Sequence, residues 1–168
     1  MALQNKAVLV TGGSSGIGLA IAKALAQEGC RVAIAGRDAE KLRRAAESYQ
    51  GQPPLLWRPC DVADRQAVGE LFAWVEKTLG PLDILVNSAG INIRRRAVAE
   101  LDPADWDRVI AVNLNGAFYC IQSALPAMRA KGEGLIINIS SISGKRALKY
   151  SGVAYCASKF GMTALGTC

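Results

Sequence analysis

An α/β domain on a doubly wound parallel sheet is what this sequence predicts. Short apolar runs alternate with amphipathic stretches, the order expected of successive βαβ units. The apolar runs are continuous, as in strands covered on both faces, not alternating as in half-exposed ones. A glycine-rich turn joins the first run to the first amphipathic stretch. The expected strands are Ala7–Thr11, Arg31–Gly36, Leu55–Arg58, Ile84–Asn87 and Gly134–Ser140.

The stretches between them carry helical periodicity. In Asp64–Leu79 the residues Val68, Leu71, Phe72, Val75 and Leu79 form one stripe, and in Asp38–Tyr49 the stripe is Leu42, Ala45, Ala46 and Tyr49. The segment Leu101-Asp-Pro-Ala-Asp-Trp reads as a helix start, with Asp102 as N-cap, Pro103 as first helical residue and Asp105 in the positive first turn. A last amphipathic helix, Ala154–Leu165, runs to Cys168 with neither a cap nor a return strand after it. That leaves the Gly134–Ser140 strand as an apolar sheet edge, which complete folds usually cover. The expectation is one domain over residues 1–168 whose doubly wound sheet is incomplete at the C-terminus.

Composition narrows the chemistry. The chain has 168 residues, 51% hydrophobic and 20% charged, enough for one buried core. No apolar run reaches the roughly 18 residues of a membrane span, and Met1–Lys6 has no signal-peptide pattern. Five scattered cysteines without C-x-x-C spacing point to a reducing cytoplasm rather than a disulfide scaffold. The absence of histidine excludes Ser-His-Asp and Cys-His hydrolases and the usual zinc sites, so no metal is expected. A net charge of +6, with a local run at Arg94, Arg95 and Arg96 and a looser group at Lys145, Arg146 and Lys149, reads as a solvated basic surface, because no aromatics alternate with these runs as they would on a nucleic-acid-binding face. An anionic substrate is the alternative reading of Arg94–Arg96.

The turn after the first strand is Thr11-Gly12-Gly13-Ser14-Ser15-Gly16-Ile17-Gly18. Glycines there let the backbone bend tightly and let a pyrophosphate approach unpaired N–H groups at a helix N-terminus. Gly12, Gly16 and Gly18 follow G-x-x-x-G-x-G, and there is no Lys-Ser/Thr pair as in a nucleoside triphosphate loop. The spacing and position resemble the short-chain dehydrogenase/reductase family, and the resemblance runs to the end of the chain. It implies a Rossmann fold in which Gly12, Ser14, Ser15, Gly16, Ile17 and Gly18 hold the dinucleotide.

Eighteen residues after Gly18 stands Gly36, followed by Arg37. A carboxylate ending the second strand would accept from the 2′-OH of NAD and repel the extra phosphate of NADP. A guanidinium can grip that phosphate with two parallel bonds. NADP is therefore expected over NAD, with Asp38 as a helix cap. The alternative leaves Arg37 solvated and gives the ribose to Asp38. Asp61-Val62 resembles the family's adenine-contacting pair. Asn87-Ser88-Ala89-Gly90 resembles its N-N-A-G turn beside the cofactor, departing at Ser88.

Tyr155-Cys-Ala-Ser-Lys159 puts a phenol and an ammonium four residues apart, neighbours on one helix face. A unit charge at about 4 Å favours a phenolate by roughly 4 kcal/mol at an effective dielectric near 20. That allows acid–base chemistry near neutral pH without histidine. In Asn138-Ile139-Ser140-Ser141-Ile142-Ser143-Gly144, resemblance to the family selects Ser141 as the serine that orients the substrate, with Ser140 and Ser143 as rivals. Asn113 matches the family's helix asparagine, which holds a water linking Lys159 to solvent; its other reading is a core residue hydrogen-bonded internally.

The resemblance implies hydride transfer between NADP(H) and a carbonyl or alcohol. Tyr155 exchanges the proton, Ser141 polarises the oxygen, and Lys159 binds the nicotinamide ribose. It also implies packing of the Asn113–Ala130 and Ser151–Leu165 helices between subunits of a full-length homo-oligomer. A non-catalytic dinucleotide-binding module is the alternative from another class, and a sugar-nucleotide epimerase the weaker enzymatic one.

Overall fold

The computed structural model describes residues 3–168. Five strands form one parallel sheet: β1 (Ala7–Thr11), β2 (Arg31–Gly36), β3 (Leu56–Pro59), β4 (Ile84–Asn87) and β5 (Leu135–Asn138). Their order is β3-β2-β1-β4-β5. Three strands have the expected bounds and β3 is shifted by one residue from Leu55–Arg58. The fifth is shorter than Gly134–Ser140, because the chain leaves the ladder after Asn138 to form a bend and a 3₁₀ turn at Ile142–Gly144.

Helices cover both faces. α1 (Gly16–Gln27) and α2 (Ala39–Glu47) pack Ala22, Ala26, Leu42, Ala45 and Ala46 against Val8, Val10, Val32, Ile34 and Val86. α3 (Arg65–Leu79) and α5 (Gly116–Lys131) pack Val68, Leu71, Val75, Cys120, Ala124 and Met128 against Ala7, Leu9, Ala33, Ala35 and Leu85. Alternate residues of β1 and β2 thus enter different cores, which is why both strands read as unbroken apolar runs. Phe72 and Tyr49 pack against these cores as partly buried members of the expected stripes, although Tyr49 lies two residues beyond the end of α2.

The caps follow the sequence. Asp38, Asp64 and Asp102 each accept a hydrogen bond from a first-turn N–H, and Pro103 opens α4 (Pro103–Ile110). Between α4 and α5 the helix widens into one π-helical stretch, Ala111–Asn115, which periodicity alone does not announce. α6 (Val153–Leu165) starts two residues later than Ser151, because a 3₁₀ turn occupies Lys149–Ser151.

At the base of the sheet Asp83 accepts from Ala7 N at 2.7 Å and from the ammonium groups of Lys131 and Lys6, tying the starts of β1 and β4 to the end of α5. The opposite, carboxyl edge carries the open cleft. The chain runs β1, β2, β3 in one direction and then returns to place β4 on the other side of β1. The two βα turns diverge there, and a crevice forms between them.

Candidate active site

Thr11 and Asn87 end the two strands that flank the divergence, and the turns after them face each other. The Thr11 hydroxyl accepts from Ser88 N at 3.2 Å and Ala89 N at 3.3 Å, pinning the Ser88–Gly90 turn to β1. Gly12 adopts φ +67°, and a Cβ there would lie 2.8 Å from Ala89 backbone atoms and Ser88 O. Only glycine allows that approach. Gly18 packs against the Gly12 carbonyl one turn into α1.

These turns open onto a cleft of about 890 Å³. Gly12, Ser14, Ser15, Gly16, Ile17 and Gly18 form one wall, with Arg37, Asp61 and Val62 beyond it toward β2 and β3. Ala89, Gly90, Ser141, Tyr155 and Lys159 form the other end. Of the residues expected at the site, Asn87 and Asn113 are not in the lining. Asn87 is buried under the turn it precedes, its Nδ2 donating to Asn138 Oδ1 at 2.9 Å while its Oδ1 has no partner. Asn113 lies beneath the floor, 0% exposed.

Arg37 is exposed at the cleft and forms no ion pair among the described residues. Asp38 accepts from Lys41 N at 2.9 Å as the cap of α2, and that bond leads the contacts holding its carboxyl below the usual value. Asp61 accepts from Ala63 N at 3.0 Å and caps its own turn. Beside it, burial pushes the Cys60 thiol up to about 11, so it stays protonated.

The three candidate serines separate by their partners. Ser140 donates to Lys159 O at 3.2 Å and shares a contact with Thr163 Oγ1 at 3.0 Å, so it is turned into α6. Ser143 is buried and donates to Ser151 Oγ at 2.8 Å. Ser141 accepts from Ser143 N at 3.1 Å, which leaves its own proton free toward the cleft.

On α6, Lys159 Nζ lies 5.7 Å from the Tyr155 ring centroid. It donates to Ile139 O at 2.7 Å and approaches Met162 Sδ at 3.5 Å. Burial pushes its ammonium below the ordinary lysine value of 10.5. Asn113 Oδ1 accepts from Ile91 N at 2.7 Å, and its Nδ2 donates to Ile91 O at 2.9 Å and Ser158 Oγ at 3.1 Å. It therefore joins the π-helical stretch to α6 and to the segment after Gly90.

Sequence reasoning did not single out Asn92, Tyr150 or Ser151, which also line the Tyr155 end. They lie on loops without periodicity or motif, and only the meeting of the two loops brings them there. Among the described residues no helix is long and apolar enough to cross a membrane, and no group of three or more His, Cys, Asp or Glu side chains could hold a metal ion.

Comparison with known proteins agrees with this arrangement. An uncharacterized oxidoreductase of Staphylococcus aureus (strain MW2) is 41% identical over 157 residues, 94% of this chain and 67% of that protein. A 3beta-hydroxysteroid dehydrogenase of Mediterraneibacter gnavus is 40% identical over 163 residues, 95% of this chain and 58% of that protein. The crystal structure of a metagenomic short-chain oxidoreductase in complex with NADP superposes with a TM-score of 0.92 at 38% identity, covering 99% of this chain and 76% of that one. The chain thus spans about two thirds or less of the length of these two curated relatives. The family profile for short chain dehydrogenases matches residues 6–168, and with the parallel sheet and glycine turn described above it makes this chain a member of the short-chain dehydrogenase family of oxidoreductases.

Proposed function

We propose that this chain is the dinucleotide-binding and catalytic part of an NADP(H)-dependent oxidoreductase acting on a carbonyl or alcohol. The observation that carries the reading is one cleft lined by the glycine turn at one end and by Ser141, Tyr155 and Lys159 at the other. The residues fit a dinucleotide. The bare backbone at Gly12 and Gly16 opens the N-terminus of α1 to a diphosphate, whose charge the helix dipole favours. Arg37, without an ion pair among the described residues, would take the 2′-phosphate, since no carboxylate ends β2 and Asp38 is committed to its cap. The NADP held by the metagenomic relative supports the same choice.

The cleft would hold the dinucleotide between the glycine turn and Lys159, and the chemistry NADPH would supply there is a hydride for the carbonyl carbon. The Ser141 hydroxyl donates to the carbonyl oxygen as negative charge develops on it. Tyr155 gives its phenolic proton to that oxygen, completing the alcohol. The Lys159 ammonium, held by Ile139 O, would stabilise the phenolate left behind and would hold the ribose of the bound dinucleotide. Asn113 fixes the floor beneath Gly90 and so the space between that turn and Lys159. In the oxidative direction each proton moves the other way.

The test is Tyr155→Phe. NADPH-dependent reduction of a panel of aldehydes and ketones, followed by loss of nicotinamide absorbance, should fall at least about 10³-fold. NADPH affinity should stay within about twofold, since the ring remains. Retained turnover in the variant would sink the assignment.

A further inference from the structure

The net charge of the chain is not spread over its surface. Twenty basic residues stand against fourteen acidic ones. Six of the basic residues are Arg94, Arg95 and Arg96, after the β4 turn, and Lys145, Arg146 and Lys149, between β5 and α6. Neither the stretch 91–99 nor the stretch 139–152 contains an aspartate or glutamate. Without these six, fourteen basic residues balance fourteen acidic ones, so the whole excess of +6 sits on two loops.

The two loops form one unit. Arg96 Nη1 donates to Tyr150 O at 3.0 Å and Asn92 Nδ2 donates to Ser151 O at 3.1 Å. Asn92, Tyr150 and Ser151 line the cleft at the Tyr155 end, so the joined loops form its rim. All six cations are exposed, and among the described residues none forms an ion pair. Of the fourteen other basic residues Lys6, Lys41, Arg43 and Lys131 are paired, and the remainder, unpaired among the described residues, is scattered through the chain rather than gathered on two joined loops. Unpaired cations around the mouth of a low-dielectric cleft focus their field into it and draw anions there.

The phosphates of the dinucleotide do not account for this field. They belong with the glycine turn and with Arg37, which follows β2 on the far side of β1 from β4 and β5. The basic rim also has apolar company, since Ile142 and Tyr150 line the same end and are 57% and 73% exposed. An anion with an apolar body suits both features.

We propose that the substrate is an acid: a carbonyl compound or alcohol whose anionic group is separated from the reacting carbon by an apolar body and is held by the Arg94–Arg96 and Lys145–Lys149 loops. This rests on the reading of the cleft as a hydride-transfer site and names its substrate class. Arg96, occupied by Ile93 O at 2.5 Å and by Tyr150 O, joins the loops; none of the six cations itself lines the cleft, so the other five, all exposed, act on the ligand's charge across solvent.

The test is binding of 4-carboxybenzaldehyde against its uncharged methyl ester, titrated by calorimetry into the protein saturated with NADP+, where no turnover occurs. The acid should bind about tenfold more tightly, or about 1.4 kcal/mol, which two or three exposed cations can supply. At about 0.5 M NaCl, where the Debye length falls to roughly 4 Å, the preference should shrink to about twofold or less. The triple variant Lys145→Glu, Arg146→Glu, Lys149→Glu should lose the preference with unchanged NADP+ affinity. Arg94→Gln with Arg95→Gln should halve it or more, and serves if the triple variant does not fold. Equal affinity for acid and ester, binding of neither, or a preference indifferent to salt would overturn the proposal while leaving the cofactor reading in place. The same pair is titrated without cofactor, so that failure to bind NADP+ beside an intact preference for the acid would remove the hydride-transfer reading and keep the anion site.

Discussion

Replacing Asn113 by alanine removes three hydrogen bonds from a fully buried position. The amide meets both polar groups of the Ile91 backbone, at 2.7 and 2.9 Å, and the Ser158 hydroxyl at 3.1 Å. Alanine leaves Ile91 N and Ile91 O without their partner. Each unsatisfied buried group costs about 1–3 kcal/mol, and Ile91 is only half-buried, so the lower part of that range applies. The total is about 2–4 kcal/mol, or a fall in Tm of roughly 5–15 °C for a domain of this size. Urea and thermal unfolding followed by circular dichroism measure it. A loss below about 0.5 kcal/mol, the range of ordinary surface substitutions, would refute the claim that this amide ties the π-helical stretch to the cleft floor. Asn113→Asp adds a check on sign. It keeps an acceptor for Ile91 N but sets a carboxylate oxygen against Ile91 O. Burial raises the folded-state pKa of such a carboxyl, so the folded chain binds more protons than the unfolded one. The penalty is then fully present above that raised value and shrinks as pH falls toward the ordinary carboxylate range. The variant should be closer to wild type at about pH 5 than at about pH 8, and the opposite slope would mean the carboxylate has escaped to water.

Other expectations rest on single features. Arg37→Ala should weaken NADPH binding about 10- to 100-fold, the loss of one charge-assisted pair, and leave NADH within about twofold; equal losses in calorimetry would return Arg37 to the solvated surface. Gly12→Ala combines φ +67° with a backbone clash at 2.8 Å and should cost about 3 kcal/mol or more. Gly16→Ala, at φ +54° with nothing near its Cβ, should cost only about 1–2 kcal/mol, so indistinguishable urea midpoints would contradict the geometry. Burial holds the Lys159 ammonium below 10.5. Between its lowered pKa and 10.5 the unfolded chain binds the extra proton, so stability rises with pH across that window, and the cost of the buried charge is fully present below it. Lys159→Met should flatten this alkaline rise in urea unfolding, and an unchanged slope would put the ammonium in solvent.

Much of the fold is local in origin and was legible in the chain. Continuous apolar runs mark strands buried on both faces, aspartates mark three helix starts, and the glycines after Thr11 mark a tight strand-to-helix turn, whose close approach to Ala89 only the fold shows. The four-residue spacing of Tyr155 and Lys159 is likewise a property of any helix, and it sufficed to place the two together. What no stretch of sequence states is which groups are already engaged. Ser140, Ser141 and Ser143 are alike in the chain. Only the packing of α6 against the end of β5 turns one hydroxyl into a helix, buries another against Ser151 and leaves the third free. The role of Asn113, within the π-helical stretch, as a brace rests on contacts 22 and 45 residues away in the chain. The basic loops were visible as separate runs some fifty residues apart, as the 54-residue separation of Arg96 and Tyr150 illustrates. That they form one rim is decided by the parallel order β4-β5, because adjacent parallel strands bring the loops at their carboxyl ends together whatever their distance along the chain.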